Sequence, residues 1–302
     1  MSTRVLNHPL DAVGESELAR LVRVANPLLA GRPLLSAGQL RHKRHAGQGY
    51  EFLEYRDYVV GDDMRFLDWR ATARSRHPQI RRFYDEQTTG WCICLDRSAS
   101  MTVTEDRKWN LAVQLTAALG YLLLHLGHRV SVLGFSDHCT KLLPPGRGRQ
   151  QYARLARALR DSAPLRRGGD SDLLQCFSRA APRYGVIVIS DFLSPRAMQP
   201  ALRRMVSAGC GLQLIHILDE ADFGCPATND TVDLVDVETL EQRTLTATRE
   251  VMLGTRAAWN ALRTELARFC TAHGITYTAC EAGEHWRTSV LRYIYSLRVE
   301  RG

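Results

Sequence analysis

From residue 89 onward, short apolar segments alternate with amphipathic segments along the chain. The apolar segments have the length of buried strands, and apolar residues between them recur at steps of three and four, which is typical of helices. Strands that are apolar on both faces and separated by helices predict a parallel sheet between two helix layers. The predicted strands are 91–96, 129–135, 185–190, 211–218 and 275–280, and the predicted helices are 107–126, 151–160, 171–181, 196–207, 249–273 and 284–296. We therefore predict an α/β fold with a doubly wound, mostly parallel sheet and helices on both faces.

Three segments do not follow this alternation. Residues 1–40 contain one predicted helix, 15–24, followed by a stretch that proline and glycine interrupt. Residues 41–88 combine short aromatic strands with turn signals and predict a small β-rich N-terminal subdomain. Residues 232–247 predict a hairpin inserted into the sheet domain, 89–302. We expect the hairpin and residues 41–88 to form one subdomain, because each needs a partner to cover its apolar face.

Composition and charge narrow the class of protein. The 302 residues are 45% hydrophobic and 24% charged, which is ordinary for a globular protein. No apolar run reaches the roughly 18 residues of a membrane helix and no signal peptide is recognisable, so we expect a cytoplasmic protein without membrane insertion. The eight cysteines include no Cys-x-x-Cys pair, which favours reduced, buried thiols. The net charge is +8, and two basic stretches, 70–82 and 141–167, are candidates for nucleic-acid binding.

Polar residues follow two of the predicted strands, at the edge where parallel sheets bind their ligands. Asp96, Ser98 and Ser100 follow the first strand, and Asp191 follows the strand 185–190. A glycine-rich loop between these strands contains Ser171. Such side chains supply hard oxygen ligands, which suit Mg²⁺ or Mn²⁺. A purely structural interpretation, in which these residues cap the helices that follow, stays open at this point.

The Asp-x-Ser-x-Ser spacing resembles the metal-ion-dependent adhesion site of von Willebrand factor A domains. That resemblance implies a metal site whose ligands are Asp96, Ser98, Ser100, Ser171 and Asp191. The second loop of such domains normally offers threonine, whereas this chain offers Ser171 after an extra acidic residue. Asp170 and Asp172 are therefore alternative ligands.

A second motif lies upstream of the first strand, in the segment 47–74. Its spaced glycine, charged and aromatic residues resemble the hallmark of the bacterial family called domain of unknown function 58, and the resemblance extends over about residues 45–300. The residues that carry it include Gly49, Glu51, Arg56, Tyr58, Gly61, Asp62, Asp63, Arg65, Asp68 and Trp69. The resemblance implies a von Willebrand factor A-like domain, a partnership with MoxR-type AAA+ ATPases and no enzymatic activity. Taken from the residues alone, the motif is either a scaffold of internal ion pairs or a docking surface.

These observations lead to one expected function and two alternatives. We expect a non-enzymatic adaptor or chaperone-like module that binds a MoxR-type ATPase or its client through an Mg²⁺ (or Mn²⁺) ion. A metal-dependent hydrolase using Asp96 and Asp191 is the enzymatic alternative, although the loops at the strand ends contain no histidine to act as a base. Nucleic-acid binding through 70–82 and 141–167 is the other alternative.

Overall fold

The structure is a computed structural model that describes residues 8–29, 46–59, 62–75, 77–84, 90–103, 105–165, 172–179, 184–223, 231–236 and 241–299. The chain divides into two compact units. The larger comprises residues 1–39 and 89–302, and the smaller comprises residues 40–88. In the described part of the chain, no helix is both long enough and apolar enough to cross a membrane.

A six-stranded sheet forms the centre of the larger unit. Its strand order is β10-β7-β6-β3-β4-β5, and every neighbouring pair is parallel except β4 and β5. The strands are β3 (Gly90–Asp96), β4 (Arg129–Phe135), β5 (Cys139–Gly146), β6 (Gly185–Ser190), β7 (Gly211–Leu218) and β10 (Thr276–Glu281). Side chains of β3 alternate between the two faces: Trp91, Ile93 and Leu95 enter one core, and Cys92 and Cys94 enter the other.

Helices cover both faces of this sheet. One core contains residues of α1 (Glu15–Leu29), α3 (Arg107–His125), α4 (Arg149–Arg160) and α8 (Trp286–Val299). The other contains residues of α5 (Leu174–Arg179), α6 (Pro195–Ser207) and α7 (Arg249–Ala272). The predicted α/β fold, with a mostly parallel sheet between two helix layers, is confirmed.

Strand β5 is the element that the sequence pattern missed. It pairs antiparallel with β4 at the edge of the sheet, and its sequence CTKLLPPG contains a lysine and two prolines. Proline lacks the N–H that a central strand needs, so it is tolerated mainly at sheet edges. The first part of the basic stretch 141–167 is therefore an edge strand, and α4 follows it.

The N-terminal segment is not separate from the sheet domain, contrary to the expected boundary at residue 40. Leu18, Leu21 and Ala25 of α1 are buried in the same core as α3 and α8. The indole N–H of Trp286, at the start of α8, donates a hydrogen bond to the carbonyl of Ala12. The helix of the N-terminal segment is thus part of the larger unit.

The predicted hairpin consists of β8 (Thr231–Val235) and β9 (Gln242–Thr246), which pair antiparallel. It belongs to the larger unit, so the expectation that it forms a common subdomain with residues 41–88 is wrong. The smaller unit has its own two-stranded antiparallel sheet, of β1 (Ala46–Asp57) and β2 (Gln79–Tyr84), and a short helix α2 (Trp69–Thr72). A small β-rich unit is therefore present, as predicted.

Candidate metal centre

The loop after β3 is organised by the carboxylate of Asp96, which is completely buried. Its Oδ1 accepts a hydrogen bond from the backbone N–H of Ser98 at 2.9 Å. Its Oδ2 accepts one from the hydroxyl of Ser190, the last residue of β6, at 2.6 Å. Because β3 and β6 are adjacent parallel strands, their carboxyl ends bring these groups together at one edge of the sheet.

The two serines of the motif lie beside this carboxylate. The hydroxyl oxygens of Ser98 and Ser100 are 3.0 Å apart, and both residues are almost completely buried. Two ligands at right angles on an octahedral Mg²⁺, each about 2.1 Å from the ion, are about 3.0 Å apart. The separation of the hydroxyls therefore suits two adjacent ligands of one Mg²⁺ ion.

A tight backbone turn after β6 places the second carboxylate. The N–H of Phe192 donates a hydrogen bond to the hydroxyl of Ser190 at 2.9 Å, and Phe192 has a left-handed φ of 45°. A bulky residue in this region is strained, and such strain is concentrated at functional sites. The side chain of Asp191, between these two residues, is buried.

A buried lysine binds Asp191 directly. The ammonium of Lys108, on the first turn of α3, lies 2.8 Å from Oδ2 of Asp191 and 2.7 Å from Oδ1 of Asp222. The Lys108 side chain is completely buried, and Asp222 belongs to a short 3-10 helix, Glu220–Phe223, after β7. Lys108 thus joins the loops that follow three strands, β3, β6 and β7.

Burial and charge shift the protonation of this cluster. Burial and the neighbouring charge of Asp191 raise the pKa of Asp96 to about 7. Burial also raises the pKa of Asp222, in spite of its ion pair with Lys108. Burial by itself would lower the pKa of Lys108, but the charges of Asp191 and Asp222 outweigh it and hold that pKa above its ordinary value.

The charges of the cluster do not balance without a further cation. Asp96, Asp191 and Asp222 are three buried carboxylates, and Lys108 is the ammonium between them. When all are ionised, two negative charges are in excess, which equals the charge of one divalent cation. One oxygen of Asp222 is also buried without a hydrogen-bond partner among the described groups. Among the described residues, no three acidic side chains form a group that could hold a metal ion by themselves, so a site for Mg²⁺ or Mn²⁺ here would need the hydroxyl oxygens of Ser98 and Ser100 beside Asp96.

The structure brings together four of the five predicted ligands: Asp96, Ser98, Ser100 and Asp191. Ser171 and Asp170 lie outside the described residues. The carboxylate of Asp172, an alternative ligand, instead accepts hydrogen bonds from the backbone N–H of Leu174 and the side chain of Gln175 at the start of α5. Asp172 therefore acts as a helix cap in this structure.

Sequence reasoning missed Lys108 and Asp222. A signal for Lys108 was present, because residues 108, 112, 115 and 119 share one helix face and the last three are apolar. A lysine in line with a buried stripe, one turn from strand-end carboxylates, indicates an internal ion pair. Asp222 carried no comparable signal, because it lies in a loop whose path depends on the fold.

In the smaller unit, several charges of the signature segment pair internally. Arg56 binds both carboxylate oxygens of Asp62 at 2.7 Å, and Arg65 binds Asp63. Asp68 caps α2, accepts a hydrogen bond from Tyr55 and forms an ion pair with Arg81. Arg81, in the basic stretch 70–82, is thus paired with an acidic residue that lies just outside that stretch.

Other signature residues are placed as follows. Gly49 and Glu51 lie in β1, Tyr58 follows that strand half-buried, and Gly61 lies outside the described residues. Trp69, at the start of α2, is 71% exposed, so its ring is not buried within the smaller unit. Met64 and Val59 are also exposed. Several charged residues of the signature segment therefore form internal ion pairs, as the scaffold interpretation predicts, whereas the exposed side chains of Val59, Met64 and Trp69 could contact another molecule.

A cavity of about 540 Å³ lies beside the buried acidic cluster, at the carboxyl ends of β7 and β10. Its walls include Arg107, Asp219 and Glu281. Arg107, which directly precedes Lys108 in the sequence, forms an ion pair with Asp219 at 3.1 Å. The described edge of the sheet therefore combines a buried acidic cluster with an accessible recess.

Comparison with known sequences identifies similar proteins. Residues 54–265 match the sequence model of the family described as protein of unknown function DUF58. An uncharacterized protein of Mycobacterium tuberculosis is 29% identical over 259 residues, which are 83% of this chain and 81% of the relative. An uncharacterized protein of Mycobacterium bovis matches to the same extent.

Solved structures provide a second comparison. The conserved hypothetical protein BatB from Bacteroides thetaiotaomicron has 14% sequence identity and a TM-score of 0.41, and the match covers 70% of this chain and 99% of that chain. A von Willebrand factor type A protein from Catenulispora acidiphila has 14% identity and a TM-score of 0.42, over 72% of this chain and 43% of that chain. These similarities concern the fold alone.

Proposed function

The chain belongs to the DUF58 family, and we propose that it is a non-enzymatic, metal-dependent protein-interaction module. One observation carries this proposal: hard oxygen ligands converge at one edge of the sheet with two negative charges in excess. Such a cluster is stable only when a divalent cation or protons balance its charge.

Each residue of the cluster has a distinct role in this proposal. Ser98, Ser100 and Asp96 bind the cation, and Asp191 does so directly or through water while Lys108 fixes its orientation. Ser171 is proposed as a further ligand because of the adhesion-site resemblance. When bound, Mg²⁺ or Mn²⁺ supplies one coordination position to a carboxylate of the partner.

The partner that we propose is a MoxR-type AAA+ ATPase or its client, in the cytoplasm. The signature segment suggests this partner, and the metal cluster suggests that an acidic side chain of the partner makes the central contact. The exposed Trp69, Met64 and Val59 of the smaller unit offer apolar contacts, since exposed aromatic residues are typical anchors of interfaces.

The carboxylate of Asp96, whose pKa is raised to about 7, could act as a general base in the described cluster, whereas the nearby His216 is held in the core. The ring of His216, on β7, packs against Phe192 and Trp259, and its Nδ1 lies 2.7 Å from the Tyr277 hydroxyl. Burial lowers the pKa of His216 to about 4, so it is neutral at physiological pH. His216 is therefore a poor base for the cluster, and the hydrolase alternative depends on Asp96.

Calorimetric titration with Mg²⁺ tests the metal site. We expect one binding event with the wild-type chain and none with Asp96→Asn, which keeps the shape of the side chain and removes its charge. Asp161→Asn, at the exposed C-terminus of α4, is the matched control and should bind like the wild type. Equal heats from wild type and Asp96→Asn, with both variants folded by circular dichroism, would rule out the site.

The partner is tested by binding of a purified MoxR-type ATPase from the same genome. We expect binding in Mg²⁺, loss of binding in EDTA, and faster dissociation with Ser100→Ala, because the contact through the metal holds the complex together. Unchanged binding in EDTA would remove the metal from the mechanism. Hydrolysis of a generic phosphoester that requires Asp96 would replace this proposal by the hydrolase alternative.

A further inference from the structure

Four buried cysteines meet on the face of the sheet that α5 covers. Cys92 and Cys94 come from β3, Cys139 is the first residue of β5, and Cys176 lies in α5. The Sγ atoms of Cys139 and Cys176 are 3.1 Å apart, and the Cys94 thiol hydrogen-bonds with Cys176. In the described part of the chain, these thiols do not form a group that could hold a metal ion. We propose that Cys139 and Cys176 form a reversible disulfide when a peroxide oxidises the folded protein.

Contacts on both sides of the pair hold the two thiols together. The backbone N–H of Cys139 donates a hydrogen bond to the side-chain oxygen of Gln175 at 3.2 Å. The guanidinium of Arg179 donates one to the carbonyl of Cys139. The residue just before Cys176 and the residue one turn after it are thus both attached to the start of β5. A disulfide needs the sulfur atoms at about 2.05 Å, so closing the bond takes an approach of about 1 Å.

Cys176 is the thiol that reacts first. Hydrogen bonds from Cys139 and Cys94 hold the pKa of Cys176 below its ordinary value, because they stabilise the thiolate, and the nearby Arg179 acts in the same direction. The same contact raises the pKa of Cys139, and burial adds to it. The thiolate is the nucleophilic form of cysteine, and a neighbouring thiol then resolves the oxidised product.

The reaction balances with hydrogen peroxide as the oxidant. The Cys176 thiolate attacks one peroxide oxygen, the O–O bond breaks, and the leaving hydroxide takes up a proton to become water. The resulting sulfenic acid is attacked by the sulfur of Cys139, an S–S bond forms, the S–O bond breaks, and a second water leaves with the Cys139 proton. Two thiols and one peroxide therefore give one disulfide and two waters. Thiol reductants of the cytosol reduce such a disulfide back to two thiols, as is usual for redox-sensing pairs.

Cys139 is a better partner for Cys176 than Cys94 is. Cys94 lies in the middle of β3, which pairs with a strand on each side, so its backbone is held on both flanks. Cys139 begins an edge strand, where the backbone has more freedom to follow the sulfur. Cys139 is only 4% exposed and Cys176 is completely buried, so peroxide reaches Cys176 when the sheet edge beside Cys139 opens locally.

Peptide mapping by mass spectrometry tests the proposal. The folded chain is treated with hydrogen peroxide, the remaining thiols are alkylated in denaturant, and the digest is analysed with and without dithiothreitol. We expect a cross-linked pair of peptides containing Cys139 and Cys176, two hydrogen atoms lighter than their sum, which dithiothreitol separates. The disulfide should form more slowly in urea, where the fold no longer brings the thiols together.

Variants identify each role. Cys176→Ser should prevent the disulfide, whereas Cys139→Ser should leave a sulfenic acid on Cys176 that dimedone labels. Cys210→Ser, a buried cysteine of the same core, is the matched control and should form the disulfide like the wild type. Three outcomes would overturn the proposal. Cys139 and Cys176 could stay reduced in folded protein after peroxide treatment, Cys176 could cross-link to Cys94 instead, or the cross-link could form equally fast in urea.

Discussion

Replacing Lys108 by methionine removes the ammonium that joins the loops of the metal cluster while keeping a side chain of similar length. Lys108 is completely buried and contacts Asp191 and Asp222 at 2.8 and 2.7 Å. Removing one partner of a buried ion pair typically costs about 3–5 kcal/mol, because the remaining charge has no compensation. Here two carboxylates remain, and two charges about 5 Å apart repel by about 3 kcal/mol at an effective dielectric constant of 20. We therefore expect Lys108→Met to lower the free energy of unfolding by about 3–5 kcal/mol.

Urea denaturation at several pH values measures this effect. The loss of stability should shrink as the pH falls, since protonated carboxyl groups no longer need a partner and burial already raises the pKa of Asp222. Lys108→Met with Asp222→Asn should recover part of the stability by removing one of the two charges. Mg²⁺ should stabilise Lys108→Met more than the wild type, because the excess negative charge is larger.

Lys141→Met is the matched control, because Lys141 is an exposed lysine of β5 and its replacement should change stability by less than about 0.5 kcal/mol. A loss below about 1 kcal/mol with Lys108→Met would show that the ion pairs seen here do not hold the loops together. A loss that does not depend on pH would point to packing of the lysine stem instead.

Three further predictions concern other parts of the larger unit. His216→Phe should reduce the loss of stability in acid. Burial lowers the pKa of His216 to about 4, so the free energy of unfolding of the wild type falls by about 3 kcal/mol between the unfolded pKa of 6.5 and pH 4. Urea denaturation across this pH range measures the difference between wild type and variant. Gly185→Ala should destabilise the fold by about 1–3 kcal/mol, because a Cβ there would lie 2.5 Å from the buried ring of Trp91, and thermal denaturation gives the value. Glu105→Gly should stabilise the fold by about 0.5–1 kcal/mol, because Glu105 has a φ of 56° that glycine adopts without strain; an equal or lower melting temperature would contradict it.

The sequence pattern was sufficient for the sheet and most of its helices, because buried strands such as Gly185–Ser190 are continuous apolar runs with clear ends. The strand-end position of Asp96 and Asp191 followed from the same pattern, since parallel strands place their carboxyl ends at one edge. The pattern failed for β5, whose edge position permits prolines and polar residues that a central strand excludes.

The sequence pattern could not predict contacts between distant segments. Lys108 and Asp222 are 114 positions apart, and the loop with Asp222 reaches the cluster only because β7 lies next to β6. Likewise, the helical period of α1 shows an apolar face but does not say what covers it. Long-range pairings of this kind depend on the complete fold, whereas periodicity reports only local structure.

The packing of α1 against α8 has a consequence for how the chain is made. A ribosome synthesises α1 long before α8, whose Trp286 contacts the segment just ahead of α1. Until α8 is made, the apolar face of α1, with Leu18 and Leu21, can pack against α3 but lacks the part of its cover that α8 provides. Contacts that span most of a chain form slowly, and exposed apolar surface invites aggregation in the meantime. The core on this face of the sheet is therefore completed only when a segment near residue 290 returns to one near residue 20.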